Sequence, residues 1–185
     1  MIDPNVSNIL KARRTTYPRD FNGKKIKTHI VREIIENANY APSHRMTQPW
    51  FFKIYSEEKK ISLAKKIITL KPDANESFKK KILENFNKSS HIICICMRRH
   101  EKIVPEWEEI AATSMAVQNI WISLVNSNIG GYWSTPKYIK NLNTFLKLNN
   151  NERCLGFFYL GIVLSISPRN VIRDNIDVKT TWRHK

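Results

Sequence analysis

Between Pro105 and Asn128 the chain carries no lysine and no arginine, although 31 of its 185 residues are one or the other. In that stretch Ile110, Ala111, Met115, Ala116, Ile120, Trp121, Leu124 and Val125 spread apolar side chains over more than one face of a helical wheel. A helix that is apolar on several sides has to be surrounded, either by the rest of its own chain or by a second subunit. Pro105 suits its start, and Glu106, Glu108 and Glu109 place negative charge at the positive end of its dipole. The pattern predicts one long buried helix from Pro105 to about Asn128, ended by Gly130-Gly131.

The remaining elements are shorter. Residues 4–14 suit a helix with a basic end at Lys11, Arg13 and Arg14. Thr28 can cap a second helix, in which Ile30, Val31, Ile34, Ile35 and Ala38 share one face and Pro42 sets the limit. Ser56 with Glu57 and Glu58 opens a third helix, and after Pro72 the four-residue spacing of Phe78, Ile82 and Phe86 predicts a fourth. Pro136 is expected to start another that runs to Leu148. Three apolar runs of strand length stand out: Trp50–Tyr55, His91–Met97 and Leu155–Leu164. Helices outnumber strands, and a helical hairpin separates two of the strands. The expected fold class is α+β, with residues 1–185 forming one domain.

Charge and cysteine content exclude several function classes. With 31 Lys+Arg against 16 Asp+Glu the formal net charge is +15, which raises nucleic-acid binding as one reading. The clusters Lys65-Lys66, Lys79-Lys80-Lys81 and Arg98-Arg99 interleave with acids or lie on polar helix faces, and the aromatics sit in apolar runs rather than between the charges. Solvated surface therefore describes the charge better than a nucleic-acid stripe does. No apolar run approaches the ~20 residues of a membrane-spanning helix. The first 14 residues lack the apolar core of a secretory signal, and three cysteines make no disulfide framework, so a reducing cytoplasm is expected. Cys94 and Cys96 alternate in an apolar strand with only Cys154 left over, too few ligands for zinc, so no metal is expected.

Three stretches carry chemistry. Arg13-Arg14-Thr15-Thr16 sets two guanidinium forks and two hydroxyls at a helix end, a donor set that suits a phosphate. Ala41 to Trp50 is a loop stiffened by Pro42 and Pro49, presenting His44, Arg45, Thr47 and Gln48. Gly130 to Pro136 puts Tyr132 and Trp133 beside the hydroxyls of Ser134 and Thr135, which suits a planar heterocycle with a polar tail.

Taken in order, the RRTT element, the APSxxxxQPW loop, the GGYW element and the late LGFFYLGIV strand resemble the FMN-dependent nitroreductase family over about residues 8–165. Val104-Pro105-x-Trp107-Glu108 and the histidine inside the APS loop look like that family's small, single-domain subgroup. The resemblance implies a homodimer with a central, mainly antiparallel sheet flanked by helices, and two flavin sites at the subunit interface. It implies tightly bound FMN, NADH or NADPH as electron donor, and ping-pong reduction of nitroaromatic, quinone or similar flat acceptors. Arg13, Arg14 and Thr15 match the family's phosphate and ring contacts. Tyr40 and His44 match positions that reach the flavin from the other subunit, and Trp133, Ser134 and Thr135 match the later FMN loop. No catalytic side chain is expected, because the cofactor carries the chemistry. Two residues depart from the pattern: Met46 stands where many relatives have Asn, and Tyr17 where many have Arg or Lys. A C-terminal basic contact falls to Arg169 or Arg173. Reduction of another small metabolite, such as an enoate or a pteridine, or flavin binding with little turnover, is the alternative within the same fold.

Overall fold

The computed structural model describes residues 3–165 and 171–184. Four strands form one antiparallel sheet in the order β1-β2-β4-β3: β1 (Trp50–Ser56), β2 (His91–Arg98), β3 (Ile129–Ser134) and β4 (Glu152–Ile162). Five helices accompany them: α1 (Pro4–Ala12), α2 (Thr28–Ala38), α3 (Glu57–Thr69), α4 (Glu76–Lys88) and α5 (Glu106–Ile122). Among the described residues, no helix is long and apolar enough to cross a membrane.

β2 is buried along nearly its whole length, so it reads as a continuous apolar run. Its alternate side chains feed two cores. Ile92, Cys94 and Cys96 join Phe157, Tyr159 and the buried residues of α3 and α4 on one face. Ile93 and Ile95 join Phe158, Leu160, α2 and α5 on the other. Helix α2 contributes Val31, Ile34 and Ala38, and the larger two stabilise by about 1.5–3 kcal/mol each when fully buried. Cys154 lies directly opposite Cys96 in the β2–β4 register, and all three thiols are buried and free.

Several elements differ from the sequence expectation. Lys27, not Thr28, is the N-cap of α2, so Thr28 is its first helical residue. α5 ends at Ile122, and Gly130-Gly131 lies inside β3 instead of terminating the helix. These glycines are demanded by packing rather than by a turn. A Cβ on Gly131 would lie 2.3 Å from Phe158 Cζ, and one on Gly130 would lie 2.7 Å from Thr16 Cβ and from Val163 Cγ2. The segment after Pro136 makes only a short 3-10 turn at Ile139–Leu142, and its apolar residues Tyr138, Leu142 and Leu146 still reach the α3/α4 core.

α5 buries Ala112, Thr113, Ala116, Val117 and Ile120 against the sheet, yet Trp107, Ile110 and Met115 remain exposed. Its apolar character on several faces is thus only half used within one chain.

At the opposite end of β2, His91 is buried with its Nδ1 2.8 Å from Ser90 Oγ. Burial first, and the nearby Lys25 and Lys60 second, hold its pKa below the ordinary histidine value. The unfolded chain therefore binds the proton more readily, so stability is full above the unfolded value near ~6.5 and is lost as pH falls below it. Urea unfolding across mildly acid pH should show this decline, and His91→Gln should flatten it. An unchanged slope would exclude His91 as its source.

Candidate functional site

The Arg13-Arg14-Thr15-Thr16 element leaves α1 and runs alongside β3. Arg13 N donates to Ile9 O and closes the helix, and three residues later Thr16 N donates to Gly131 O at 3.0 Å. Trp121 Nε1, from the last turn of α5, donates to the same carbonyl at 3.1 Å. One strand position therefore ties three distant segments together. Above it the Arg13 guanidinium lies 5.1 Å from the centre of the Trp121 ring.

Charge at this point is unbalanced. Partial burial lowers the Arg13 pKa, and the neighbouring positive charges of Arg173 and Arg14 lower it further. Among the described residues none of these three arginines is ion-paired with a carboxylate. Like charges held together without a counter-ion are an anion-seeking arrangement, and the two threonine hydroxyls add neutral donors. Of the two C-terminal candidates, Arg173 is near enough for its charge to lower the Arg13 pKa, whereas Arg169 lies outside the described residues.

Two hollows flank the segment. The smaller, about 180 Å³, is lined by Arg14, Thr16, Trp121 and Gly130 among others. The larger, about 530 Å³, includes Tyr17, Arg19, Phe78, Lys81, Tyr132 and Ser134. Tyr17 and Tyr132 lie with ring centres 4.9 Å apart on its wall. Its size falls in the range of small-molecule sites, and its walls combine flat aromatic surface with cationic and hydroxyl groups.

β3 distributes the remaining predicted residues by its alternation. Tyr132 faces the α3/α4 core and Trp133 packs with the α2/α5 core. Trp133 Nε1 is buried and has no partner among the described residues. Gly156 lies under it, in a β4 irregularity opposite Ile95 and Cys96, where a Cβ would come within 2.7 Å of that nitrogen. Ser134 is half-buried and Thr135 exposed at the strand's end.

Tyr40 and His44 are elsewhere. They sit between α2 and β1: Tyr40 N donates to Asn37 O, and Asn37 bonds Asn119 and Ser123 at the last turns of α5, whereas His44 lies next to the first turn of α5, its Nδ1 2.6 Å from a Glu108 carboxylate oxygen. Trp121, beside Arg13, is thirteen residues further along the same helix, which is about 20 Å at 1.5 Å per residue. One chain thus brings Arg13, Arg14, Thr15 and β3 together and holds His44 apart from them. The loop that carries His44 is strained: Arg45, Met46 and Gln48 have φ of 52°, 53° and 42°. Each such residue costs of order 1–3 kcal/mol, and clusters of them mark functional segments. Tyr40 and Met46 are 79% and 73% exposed, so both are presented outward.

Two groups at this end carry no signal in the sequence beyond helix-start acids. Glu109 is fully buried and ion-paired with Arg99, and it also accepts from His100 N at 2.8 Å and contacts His100 Nδ1 at 2.7 Å. Glu108, next to it, faces His44. Among the described residues no group of three or more His, Cys, Asp or Glu side chains is arranged to hold a metal.

The nitroreductase family model matches residues 10–162, a span that contains all three chemical stretches. Putative NAD(P)H nitroreductase YfhC of Bacillus subtilis (strain 168) is 26% identical over 177 residues, 90% of each chain. The nitroreductase-like family protein from Bacillus cereus has a TM-score of 0.81 at 22% identity, covering 95% of this chain and 94% of that one. The FMN-dependent nitroreductase NfnB from Mycobacterium smegmatis, solved in complex with NADPH, has a TM-score of 0.77 at 14% identity, covering 98% and 99%.

Proposed function

Since the chain belongs to the nitroreductase family, we propose that it is an FMN-dependent NAD(P)H oxidoreductase, a homodimer whose site is shared between subunits. The carrying observation is the grouping of Arg13, Arg14 and Arg173, none of them ion-paired with a carboxylate among the described residues, with Arg14 donating to the carbonyls of Lys11 and Arg13 and with Thr16 tied to β3. Its donor set fits a dianionic phosphate, and the adjoining aromatic hollow of about 530 Å³ fits a flat ring. Arg13, Arg14, Thr15 and Arg173 hold the phosphate. Ser134 and Thr135 offer hydroxyls beyond it, and Trp133 backs the strand with an unspent N–H donor.

The split of the predicted residues supports a dimer. Tyr40 and His44 complete the site of the other subunit, His44 lying about 20 Å from Arg13 along α5. The exposed Trp107, Ile110 and Met115 of α5 give that subunit an apolar face to cover.

Bound FMN supplies hydride chemistry, with reducing equivalents from NADH or NADPH passing to a nitroaromatic, quinone or similar flat acceptor. The chain's own work is to fix the phosphate, exclude water from one side of the ring site and present hydrogen-bond donors around it. No side-chain nucleophile is needed. Three buried free thiols agree with a cytoplasmic setting.

Colour is the decisive test. Purified protein should be yellow with about one FMN per chain, and a colourless protein that ignores added FMN would end this reading. NAD(P)H oxidation with menadione or a nitrofuran then checks turnover, with parallel double-reciprocal lines expected. Arg13→Ala should weaken FMN binding roughly 10–150-fold, the equivalent of about 1.5–3 kcal/mol for a charged hydrogen bond. Unchanged affinity would remove Arg13 from the site.

A further inference from the structure

The first turn of α5 carries two adjacent carboxylates with different tasks. Glu109 is locked inside, with Arg99 and His100 as partners. That lock fixes the orientation of the turn. Glu108 then faces the α2–β1 loop, with its Oε2 2.6 Å from His44 Nδ1. The acid is the shielded member of the pair, 22% exposed, and the imidazole the presented one, 58% exposed. The loop is held on its own side as well: Gln48 N donates to Ser43 Oγ at 3.1 Å and Met46 N to Ser43 O at 3.2 Å. His44 is therefore presented by a strained loop fastened at both ends, and its ring is fastened through one nitrogen.

We propose that Glu108 is the positioning residue for His44. An ionised carboxylate only accepts hydrogen bonds, so Nδ1 must keep its proton towards Glu108. Nε2 becomes the nitrogen turned outward, and in the neutral ring it is an acceptor. Without Glu108 the neutral ring is free to carry its proton on Nε2 and would present a donor instead. Glu108 thus decides the hydrogen-bonding character of the group that this surface offers to the partner subunit's site. The inference rests on the reading that His44 reaches that site.

The ring nitrogens can be read directly in protein labelled with ¹⁵N-histidine, at a pH well above the ordinary histidine value. Wild-type His44 should show an unprotonated Nε2, Glu108→Gln should keep that form through its amide oxygen, and Glu108→Ala should shift it towards protonated Nε2. In the FMN-loaded dimer, Glu108→Ala should lower kcat/KM for menadione roughly 10-fold or more, the size of effect that loss of one charged hydrogen bond gives. Glu108→Gln should recover most of it. Adding His44→Ala to Glu108→Ala should bring little further loss, because the two act as one unit. A protonated Nε2 in the wild type, or additive effects of the two substitutions, would overturn the proposal. The tautomer is measured equally well without flavin, so a colourless protein overturns the proposed function separately.

Discussion

Ile110→Asp combined with Met115→Asp is expected to turn the protein into a colourless monomer. The two side chains are 39% and 41% exposed on the outer stripe of α5, so neither substitution disturbs packing within the chain. Thermal unfolding of the separated chain should remain cooperative. In a subunit interface the same aspartates are unpaired buried charges, and each would give up its charge or break the contact. Loss of the interface should also empty the cofactor site, because Arg13 and His44 lie at opposite ends of α5. Light scattering and visible absorbance on one sample decide both points. A monomer that stays yellow would place the whole site in one chain. A dimer that persists would put the interface on another face.

Glu109→Ala should produce the largest loss of stability from a single substitution. The carboxylate is fully buried, and its removal leaves the Arg99 guanidinium, only 8% exposed, without a counter-charge. Breaking such a pair from one side costs about 3–5 kcal/mol. In a domain of this size each kcal/mol shifts Tm by about 2–4 °C, so a fall of roughly 6–20 °C is expected by calorimetry. Replacing both partners with apolar residues, as in Arg99→Met with Glu109→Leu, should recover much of it, since an apolar pair carries no desolvation cost. If Glu109→Ala melts like the wild type, the ion pair does not anchor α5. The substitution should also loosen the Glu108–His44 contact, because both acids share one turn.

Much of the fold was legible because local patterns carried it. The four-residue spacing of Phe78, Ile82 and Phe86 and the apolar runs at His91 and Leu155 each state an element without help from elsewhere. β3 was not legible. Gly130-Gly131 has the chemistry of a helix terminator, and only the rings and methyls of Phe158, Thr16 and Val163 reveal why two glycines belong in a strand. Cys154 likewise counts as an isolated thiol until the β2–β4 register sets it against Cys96.

For the candidate site, the sequence names the donors, but their grouping was not visible in it. Arg173 could not be chosen over Arg169 by counting along the tail; its nearness to Arg13 is a property of the folded chain. Glu108 and Glu109 look alike as helix-start acids, and a rotation of one residue sends one into the core and the other to His44.

What the sequence determined by itself was therefore most of the elements and the residue types of the candidate site: a long helix free of basic residues, three apolar strands, and an RRTT, APS-loop and GGYW set whose donors suit a flat ring with a phosphate. These depend on residues near one another in the chain, where spacing alone dictates which side chains share a face. The tertiary structure alone decided that Thr16 pairs with Gly131, that three arginines converge without a carboxylate among the described residues, and that α5 separates Arg13 from His44. Those relations join segments tens of residues apart, and they arise from how the helices dock on the sheet, which no local pattern encodes.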